Sequence, residues 1–240
     1  MTSDSRGVDG SDFIDLGTEE DAFTRGGNRL CFIDPRHRDR CIKVLRPDRL
    51  PALKRAEKSF PKNLKPLDRF DDNVQEFRVY ERIHRAIGPR AHEFIPRLHG
   101  WVQTNFGDGL CSDLIRDADG RISITLKQYL WLHGMDGAIE RVLTTFSAGW
   151  AESGMPSRNL LLHNLVVQSG KDGPGRILVI DGLGWPDLLP LAYYWPALAR
   201  SKASRKIRSL MKSIESFLPK RGDRSDYGYH GWLEERQRGN

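Results

Sequence analysis

Short apolar runs alternate with turn-forming segments along the first 45 residues of the chain. The runs FIDL, LCFID and CIKVL are separated by GTEED and PRHRDR, which are rich in charged and turn-forming residues. Brief apolar runs bounded by such segments are typical of β-strands. We therefore predict short antiparallel strands between Phe13 and Leu45, and we expect the small, polar residues 1–12 before them to be disordered.

The pattern becomes helical beyond residues 46–66, a segment rich in Lys, Arg and Pro that shows no clean period and predicts a surface connection. In VQEFRVYERIHRAI, apolar side chains recur at helical spacing at Phe77, Tyr80, Ile83 and Ile87. Asp71-Asp72-Asn73 offers capping residues before this stretch, and Gly88-Pro89 follows it as a stop. The segment therefore predicts a helix with one apolar face.

The second half of the chain continues this alternation. LHGWVQTN and GLCSDLI predict a hairpin, while LLLHNLVV and ILVID are two further apolar runs on either side of a Gly-rich turn. ITLKQYLWL predicts the start of a short helix. Two longer helices are predicted from the apolar stripes Ile139, Val142, Leu143, Phe146 and Trp150, and Ile207, Leu210, Met211, Ile214 and Phe217.

This order of elements predicts an α+β protein. We expect an N-terminal lobe of antiparallel sheet plus one helix at about residues 13–115, and a reduced, mainly helical C-terminal lobe at about residues 116–218. The charged residues 219–240 that follow predict a flexible tail.

Composition narrows the partners and the compartment. The formal net charge of +6 permits an acidic partner such as nucleotide phosphates, nucleic acid or an anionic membrane surface, although it is also ordinary for a soluble protein. The polar start predicts no signal peptide, and no apolar stretch is long enough to span a bilayer. Three cysteines without C-x-x-C spacing predict neither a disulfide framework nor a zinc site, so we expect a cytoplasmic location.

Two charged residues occupy positions where the pattern predicts burial. Lys43 lies in the strand CIKVL, whose two faces both look apolar, and Glu76 falls near the centre of the apolar face of the predicted helix. A buried ammonium or carboxylate is strongly disfavoured without a partner. A Lys43–Glu76 ion pair would satisfy both charges, although a strand lysine taken alone can also extend its charged end to solvent.

Further candidate residues lie beside the apolar runs. Asp181 ends RILVID and is followed by Gly182 and Gly184. Asn164 comes just before the preceding apolar run, and one Gly-containing turn separates the two runs. Magnesium ligands on neighbouring strands would require this arrangement. Taken alone, Asp-Gly is a good turn and an Asn is usually a structural hydrogen-bonder. Gly26 and Gly27 could let backbone amides approach a phosphate, or could form a plain hairpin turn.

The stretch MPSRNLLLHN at residues 155–164 resembles the catalytic loop of protein kinases, in which His-Arg-Asp-Leu is followed by three residues and Asn. The candidates also come in the order of kinase parts: glycine turn, strand Lys, helix Glu, hairpin, helix, this loop, and a strand-terminal Asp. In kinases the helix glutamate orients the strand lysine toward the α- and β-phosphates of the nucleotide. The Asn that ends the catalytic loop and the strand-terminal Asp hold magnesium.

The chain also resembles the PhoP regulatory network protein YrbL family from about Phe23 to Phe217. RCIKVL, QEFRVYERI, IPRLHGWV, DADGRISITL and HNLVV carry this resemblance. It implies a two-lobed kinase-like domain at residues 13–218, a nucleotide site under the Gly26-Gly27 turn, and a role in bacterial signalling or envelope regulation. We expect ATP as the nucleotide and magnesium as the metal.

On this interpretation the candidate site residues fall into three groups. The expected nucleotide-binding residues are Gly26, Gly27, Cys41, Lys43, Glu76, Asp113 and Ile115. The expected metal ligands are Asn164 and Asp181, and the catalytic positions are Asn159 and Asp181.

Two departures from the kinase pattern bear on catalysis. Asn159 stands at the position of the catalytic Asp, and its amide can orient a nucleophile but is no base. Leu161 stands where protein kinases have a lysine near the transferring phosphate. We therefore expect nucleotide and metal binding with weak catalysis or none, as in a pseudokinase that switches a protein partner when ATP and magnesium bind.

Two alternatives remain open. A phosphotransferase for a small molecule or sugar would use Asn159 to position a nucleophile that needs no strong base. A non-enzymatic scaffold would bind an acidic partner or nucleic acid through the basic face of the helix at residues 200–212. Nucleic acid is the less expected partner, because that helix lacks the aromatic and glycine features usual in phosphate-binding faces.

Overall fold

The structure is a computed structural model that describes residues 13–185, 194–222 and 224–239. The stretch at residues 1–12, for which the sequence predicts disorder, lies outside the described residues. The described chain divides into two compact units. The first comprises residues 13–80 and 97–114, and the second comprises residues 81–96 and the described residues from 115 onward.

The first unit contains a six-stranded sheet with the strand order β1-β5-β6-β4-β3-β2. The strands are β1 (Phe13–Ile14), β2 (Thr24–Arg25), β3 (Arg29–Asp34), β4 (His37–Leu45), β5 (Leu98–Thr104) and β6 (Gly107–Asp113). The sheet is mixed, whereas the sequence predicts an antiparallel one, because β1 pairs in parallel with β5. No hairpin links β1 to β5, so no tight turn forces these two strands to run in opposite directions.

Strand β4 is buried on both faces in its second half, from Cys41 to Leu45. On one face, Ile42 and Val44 pack with Leu30 and Phe32 of β3 in the core of the unit. The other face of β4 carries Cys41 and Lys43, since neighbouring strand residues point to opposite sides of a sheet. The strand therefore places a lysine in the interior.

Helix α2 (Asp72–Ile87) confirms the predicted amphipathic helix. The Asp71 carboxylate accepts hydrogen bonds from the backbone N–H groups of Asn73 and Val74, which satisfies the start of the helix. The helix ends before Gly88, whose φ of +74° suits a helix stop. The preceding connection is at the surface, and it contains the short helix α1 (Pro51–Ala56) and the 3-10 helices Pro47–Arg49, Lys62–Leu64 and Leu67–Arg69.

The second unit is mainly helical. Its α-helices are α3 (Leu126–His133), α4 (Gly137–Ser153), α5 (Pro196–Phe217) and α6 (Glu235–Arg238), and its hairpin consists of β7 (Leu165–Gly170) and β8 (Gly173–Val179). Its 3-10 helices are Gly88–Glu93, Leu162–Asn164, Leu218–Lys220 and Arg224–Tyr227. Gly149 of α4 permits close packing, because a Cβ there would lie 2.8 Å from the ring of Phe94. No helix in the described part of the chain is long and apolar enough to cross a bilayer.

The C-terminal segment packs onto the second unit, although the sequence predicts a flexible tail at residues 219–240. Arg238 is buried, with Nη2 2.9 Å from Asp117 Oδ2 and Nε 3.0 Å from the carbonyl oxygen of Ile122. Tyr227 and Leu233 are also buried. The segment gives no periodic signal because its few apolar residues are dispersed among charged residues and glycines, yet those few residues and one arginine anchor it.

Candidate functional site

Lys43 and Glu76 form a buried ion pair in the first unit. Lys43 Nζ lies 2.7 Å from Glu76 Oε1, and each side chain is only 9% exposed. The lysine comes from the doubly buried part of β4 and the glutamate from α2. A charge in such surroundings needs its partner, because an unpaired buried charge costs several kcal/mol. The ion pair that the sequence predicts is therefore present.

Arg29 is a second cation on the same carboxylate. At the start of β3, its Nη1 contacts Glu76 Oε2 and lies 3.4 Å from Asn73 Oδ1. Asn73 is buried and donates a 2.8 Å hydrogen bond to the backbone carbonyl of Lys43. Glu76 thus shares its two oxygens between two cations, so it keeps a cationic partner even when the Lys43 ammonium is used elsewhere.

Two free cysteines adjoin Lys43 in the sheet. Cys31 lies directly opposite Lys43 in the register of β3 and β4, and Cys41 precedes Lys43 by two residues. A hydrogen bond donated by Cys41 lowers the pKa of Cys31 despite burial, and Lys43 and Arg29 act in the same direction. This hydrogen bond and burial raise the pKa of Cys41 well above its ordinary value. Cys41 therefore stands beside Lys43 as a neutral thiol.

The Gly26-Gly27 turn joins β2 to β3. The N–H of Gly26 donates to the carbonyl of Arg29 at 2.8 Å, and Arg46 Nη1 donates to the carbonyls of Gly26 and Gly27 at 3.2 and 3.1 Å. Neither glycine has a positive φ, and a Cβ at Gly27 would meet open space. The fold of this turn therefore does not itself require glycine at position 27.

Asp113 and Ile115, two expected nucleotide-binding residues, have structural contacts in different units. The Asp113 carboxylate accepts a 2.9 Å hydrogen bond from the N–H of Arg97 and lies 2.7 Å from His99 Nε2, which ties the end of β6 to the start of β5. In the second unit, Ile115 is buried against Val166 and Leu178 of the hairpin. Both residues thus contribute to the packing of their own units.

In the second unit, the loop MPSRNLLLHN is joined to the segment after β8 by two backbone hydrogen bonds. The N–H of Arg158 donates to the carbonyl of Gly182, and the N–H of Ile180 donates to the carbonyl of Asn164, both at 2.8 Å. These bonds hold the loop at Arg158 and at Asn164 against the chain on either side of Asp181. The loop and the strand-terminal Asp are therefore neighbours in the fold.

Gly182 lets three candidate residues come together. Its φ is +79°, and a Cβ at this position would lie 2.7 Å from the carbonyl oxygen of Asn159 and 3.0 Å from Asn164 Nδ2. Glycine permits both this left-handed backbone and this close approach. The Asp181 carboxylate accepts a 2.6 Å hydrogen bond from the N–H of Gly182. The structure thus gathers Asn159, Asn164 and Asp181 around one glycine.

Asn164 and Asp181 offer the oxygen ligands that magnesium prefers. Magnesium is usually held by one or two protein carboxylates together with water and substrate phosphates. Within the described residues, no group of three or more His, Cys, Asp or Glu side chains is placed to hold a metal ion. The residues therefore fit a magnesium ion that arrives with a nucleotide better than a metal site closed by protein side chains.

Lys206 of α5 reaches the MPSRNLLLHN loop. Its Nζ contacts the carbonyl oxygen of Arg158 and lies 3.5 Å from Asn159 Oδ1. Leu161, at the loop position where kinases have a lysine, is 43% exposed and supplies no charge. A cation from a different helix therefore lies beside the residue that replaces the catalytic Asp.

His163 is the titratable residue next to Asn164. Burial lowers the pKa of His163 below 6.5, His230 and Lys127 lower it further, and Asp181 opposes the shift. The centroids of the His163 and His230 rings are 5.3 Å apart. The lowered pKa favours the neutral form of His163 at pH 7, so this residue adds little positive charge to the loop.

Sequence reasoning missed the positions of Arg29 and Lys206. Arg29 belongs to the RGGNR turn, and its contact with Glu76 depends on how β3 and α2 pack. Lys206 is one of several cations on the outward face predicted for its helix. The helical pattern signals that such a face is polar, but it does not signal which cation meets a loop.

Comparisons with known proteins agree on a family. A family model described as PhoP regulatory network protein YrbL matches residues 14–215. Two curated relatives, from Escherichia coli strain K12 and from Shigella flexneri, are both described as "Uncharacterized protein YrbL". Each is 23% identical over 192 residues, which cover 77% of this chain and 81% of the relative.

The similar solved structures include kinases. The structure of Rad53 1-466 in complex with AMP-PNP aligns with a TM-score of 0.50 and 15% identity, and the match covers 90% of this chain but only 48% of the Rad53 chain. A mutant form of the PknI kinase domain of Mycobacterium tuberculosis aligns with a TM-score of 0.39 and 15% identity over 81% of this chain and 93% of that one. The Rad53 match shows the fold alone, and it confirms the predicted kinase-like α+β fold.

Proposed function

The chain belongs to the PhoP regulatory network protein YrbL family, and from this premise we propose that it is a regulatory protein that binds ATP with magnesium and catalyses phosphotransfer weakly or not at all. The buried Lys43–Glu76 ion pair is the observation that carries the proposal. Kinases use a strand lysine paired with a helix glutamate to hold the α- and β-phosphates. This pair is retained although Asn159 replaces the catalytic Asp, which favours binding over efficient transfer.

Each candidate residue has a role in this proposal. Lys43, oriented by Glu76, contacts the phosphates through its ammonium group, as the strand lysine of kinases does. Asn164 and Asp181 hold magnesium, which would neutralise phosphate charge. Asn159 orients a hydroxyl or a water molecule through its amide but cannot accept its proton.

The remaining expected contacts are proposed as a nucleotide-binding surface. Backbone amides at Gly26 and Gly27 approach the phosphates, and Cys41, Asp113 and Ile115 contact the rest of the nucleotide. A pseudokinase of this kind acts through a protein partner that distinguishes the nucleotide-bound form from the free form. The description of the family supports a regulatory role. We propose that this role lies in bacterial signalling or envelope regulation.

Calorimetric titration of ATP with and without magnesium tests the proposal, using the wild-type chain and the variants Lys43→Ala and Asp181→Ala. We expect magnesium-dependent binding by the wild-type chain and at least about tenfold weaker binding by each variant, since each loses a charge-assisted contact. Lys43→Ala is a fair test because Arg29 still pairs with Glu76 after the substitution.

Matched controls come from the exposed turn between β7 and β8. Lys171→Ala and Asp172→Ala remove the same two charges at solvated positions, so both should bind ATP like the wild-type chain. Unchanged ATP affinity in both Lys43→Ala and Asp181→Ala would contradict the proposal. If ATP binding is weakened equally in the site variants and the turn variants, the loss of affinity would be an effect of net charge and not of a specific site.

Slow phosphotransfer to a small molecule or sugar is the second candidate function, and the position of Lys206 favours it. Phosphoryl transfer depends mostly on positioning and charge stabilisation, and a cation beside Asn159 can stabilise a transferring phosphoryl group. ATP turnover would be measured with pools of cell metabolites as acceptors. Turnover that is lost in Asn159→Ala, Asp181→Ala and Lys206→Ala supports transfer, whereas no turnover with any pool counts against it.

A further inference from the structure

Residues 47–69, here called the 47–69 segment, fold into short helices that bury none of their own residues. Helix α1 and the three 3-10 helices of this segment all lack a buried residue. Helix α1 contacts each of the other three, so the segment packs on itself. Short helices are marginal in water unless they pack against something. A segment of this kind is therefore a candidate binding surface for an external partner.

Large apolar side chains are concentrated in this segment. Phe60 is 77% exposed and Leu64 is 71% exposed. Three further leucines are exposed to a smaller extent, namely Leu50, Leu53 and Leu67. Elsewhere in the described parts of the chain, exposed large apolar residues are isolated in sequence or occur as a neighbouring pair. Single exposed apolar residues are ordinary, whereas a concentration of them marks an interaction site.

Cations are interleaved with these apolar residues. The cations of the segment whose side chains form no ion pair among the described residues are Arg55, Lys58, Lys62, Lys65 and Arg69. The segment has three acidic residues, and each already has a cationic partner: Asp48 pairs with Arg46, Glu57 with Arg49 and Asp68 with Arg78. The surface of the segment is therefore both apolar and positively charged, and it complements an anionic and apolar partner.

We propose that the 47–69 segment binds the surface of an anionic lipid bilayer. Phe60 and Leu64 enter the boundary between headgroups and acyl chains, while the neighbouring lysines meet the lipid phosphates. Lysine suits this position, because its apolar stem lies along the hydrophobic region and its ammonium group reaches the headgroups.

A lipid surface fits the segment better than a protein does. The cores of protein–protein interfaces are depleted in lysine. Here Lys65 directly follows Leu64, and Phe60 lies two residues from Lys58 on one side and from Lys62 on the other. A protein that covered these apolar side chains would also have to cover the lysines. At a bilayer interface the apolar side chains can enter the acyl region while the lysine ammonium groups stay among the headgroups.

Vesicle sedimentation of the full chain tests this proposal without nucleotide, so its outcome is separate from that of the proposed ATP binding. Two vesicle types are used, phosphatidylcholine alone and a mixture with phosphatidylglycerol. We expect the chain to sediment with the mixed vesicles and to remain in solution with phosphatidylcholine alone. Added salt should weaken binding by screening the lysines, while the apolar contacts persist.

Two variants separate the contributions within the segment. Phe60→Ser with Leu64→Ser should weaken vesicle binding by about tenfold or more, through lost apolar burial. Lys58→Gln, Lys62→Gln and Lys65→Gln together should weaken it by about a hundredfold, since each cation near an anionic surface contributes roughly 1 kcal/mol. All five side chains are exposed, so thermal unfolding of both variants should match that of the wild-type chain.

Two matched controls remove the same kinds of group from the second unit. Leu132→Ser removes an exposed leucine, and the triple variant Lys171→Gln, Lys212→Gln, Lys220→Gln removes three exposed lysines. Both should bind vesicles like the wild-type chain. Equal losses in the lysine controls, sedimentation with phosphatidylcholine alone, or no binding to mixed vesicles would each overturn the proposal. Capture by an acidic peptide such as polyglutamate, with no vesicle binding, would identify a protein-binding surface instead.

Discussion

The two units differ in what they keep of the kinase pattern. The first keeps the Lys43–Glu76 pair, with both side chains buried. The second keeps Asn164 and Asp181, the candidate metal ligands, but Asn159 and Leu161 replace the acid and the lysine of the catalytic loop. The positions that would bind nucleotide and metal are thus retained, while those that would assist transfer are changed. Binding and transfer depend on separate residues, so one can be lost without the other.

The candidate residues of the two units also differ in their importance for folding. Glu76 neutralises two cations in the interior of the first unit. Asn159 and Asp181 are exposed in the second unit. Substitutions in the first unit should therefore reduce stability, whereas those in the second should change chemistry while the fold persists. The predictions below test this contrast.

Glu76→Ala should have the largest effect on stability. It leaves the Lys43 and Arg29 charges in a buried site without their carboxylate, so we expect a loss of about 3–5 kcal/mol in the free energy of unfolding. Urea denaturation measures this loss. Glu81→Ala, on the same helix but 47% exposed, serves as the control and should lose less than about 1 kcal/mol. Similar losses in both variants would show that the buried pair does not support the fold.

Arg238→Ala should have the next largest effect on stability. It tests whether a buried ion pair in the second unit stabilises the fold as the Lys43–Glu76 pair does in the first. Its partner Asp117 keeps hydrogen bonds from the hydroxyl of Ser123 and the N–H of Ser169, so we expect a smaller loss of about 2–3 kcal/mol. Limited proteolysis should then cut the C-terminal segment. Arg236→Ala, two residues away and exposed, should behave like the wild-type chain. Equal protease resistance in both variants would contradict the anchoring role.

Asn159→Asp should partly restore the transfer chemistry that distinguishes this loop from that of kinases. We expect about a tenfold rise in phosphate release from ATP, below the usual contribution of a positioned base because Leu161 is unchanged. Adding Asp181→Ala should abolish the gain, since the candidate metal ligand is lost. No rise in Asn159→Asp, with ATP binding intact, would show that the loop is not in the geometry of a kinase catalytic loop.

The smallest effect concerns pH. The folded pKa of His163 lies below 6.5, so as pH falls the unfolded chain takes up this proton first. The free energy of unfolding should therefore decrease below pH 6.5 and level off once folded His163 is protonated, by no more than about 1 kcal/mol because the ring is only half-buried. In His163→Gln this part of the pH profile should be flat, and an unchanged slope would assign it to another group.

Much of the first unit could be predicted from sequence, because its signals are local. The stripe of Phe77, Tyr80 and Ile83 marks α2, and a lysine between apolar neighbours marks the doubly buried part of β4. The Lys43–Glu76 pair followed from two charges in apolar patterns, each of which needed a partner. The direction of β1 could not be predicted in this way, since no hairpin links it to the strand with which it pairs.

By itself the sequence determined the main strands and the long helices, the order of the kinase-like parts, and which charges lie in apolar patterns. Only the tertiary structure decided which cations meet which partners. Arg29 and Glu76 are 47 positions apart, as are Lys206 and Asn159, and Arg238 and Asp117 are 121 apart. Periodicity reports which face of a helix or strand is buried, so a solvated cation and one that meets a distant loop give the same local pattern. Long-range packing distinguishes them.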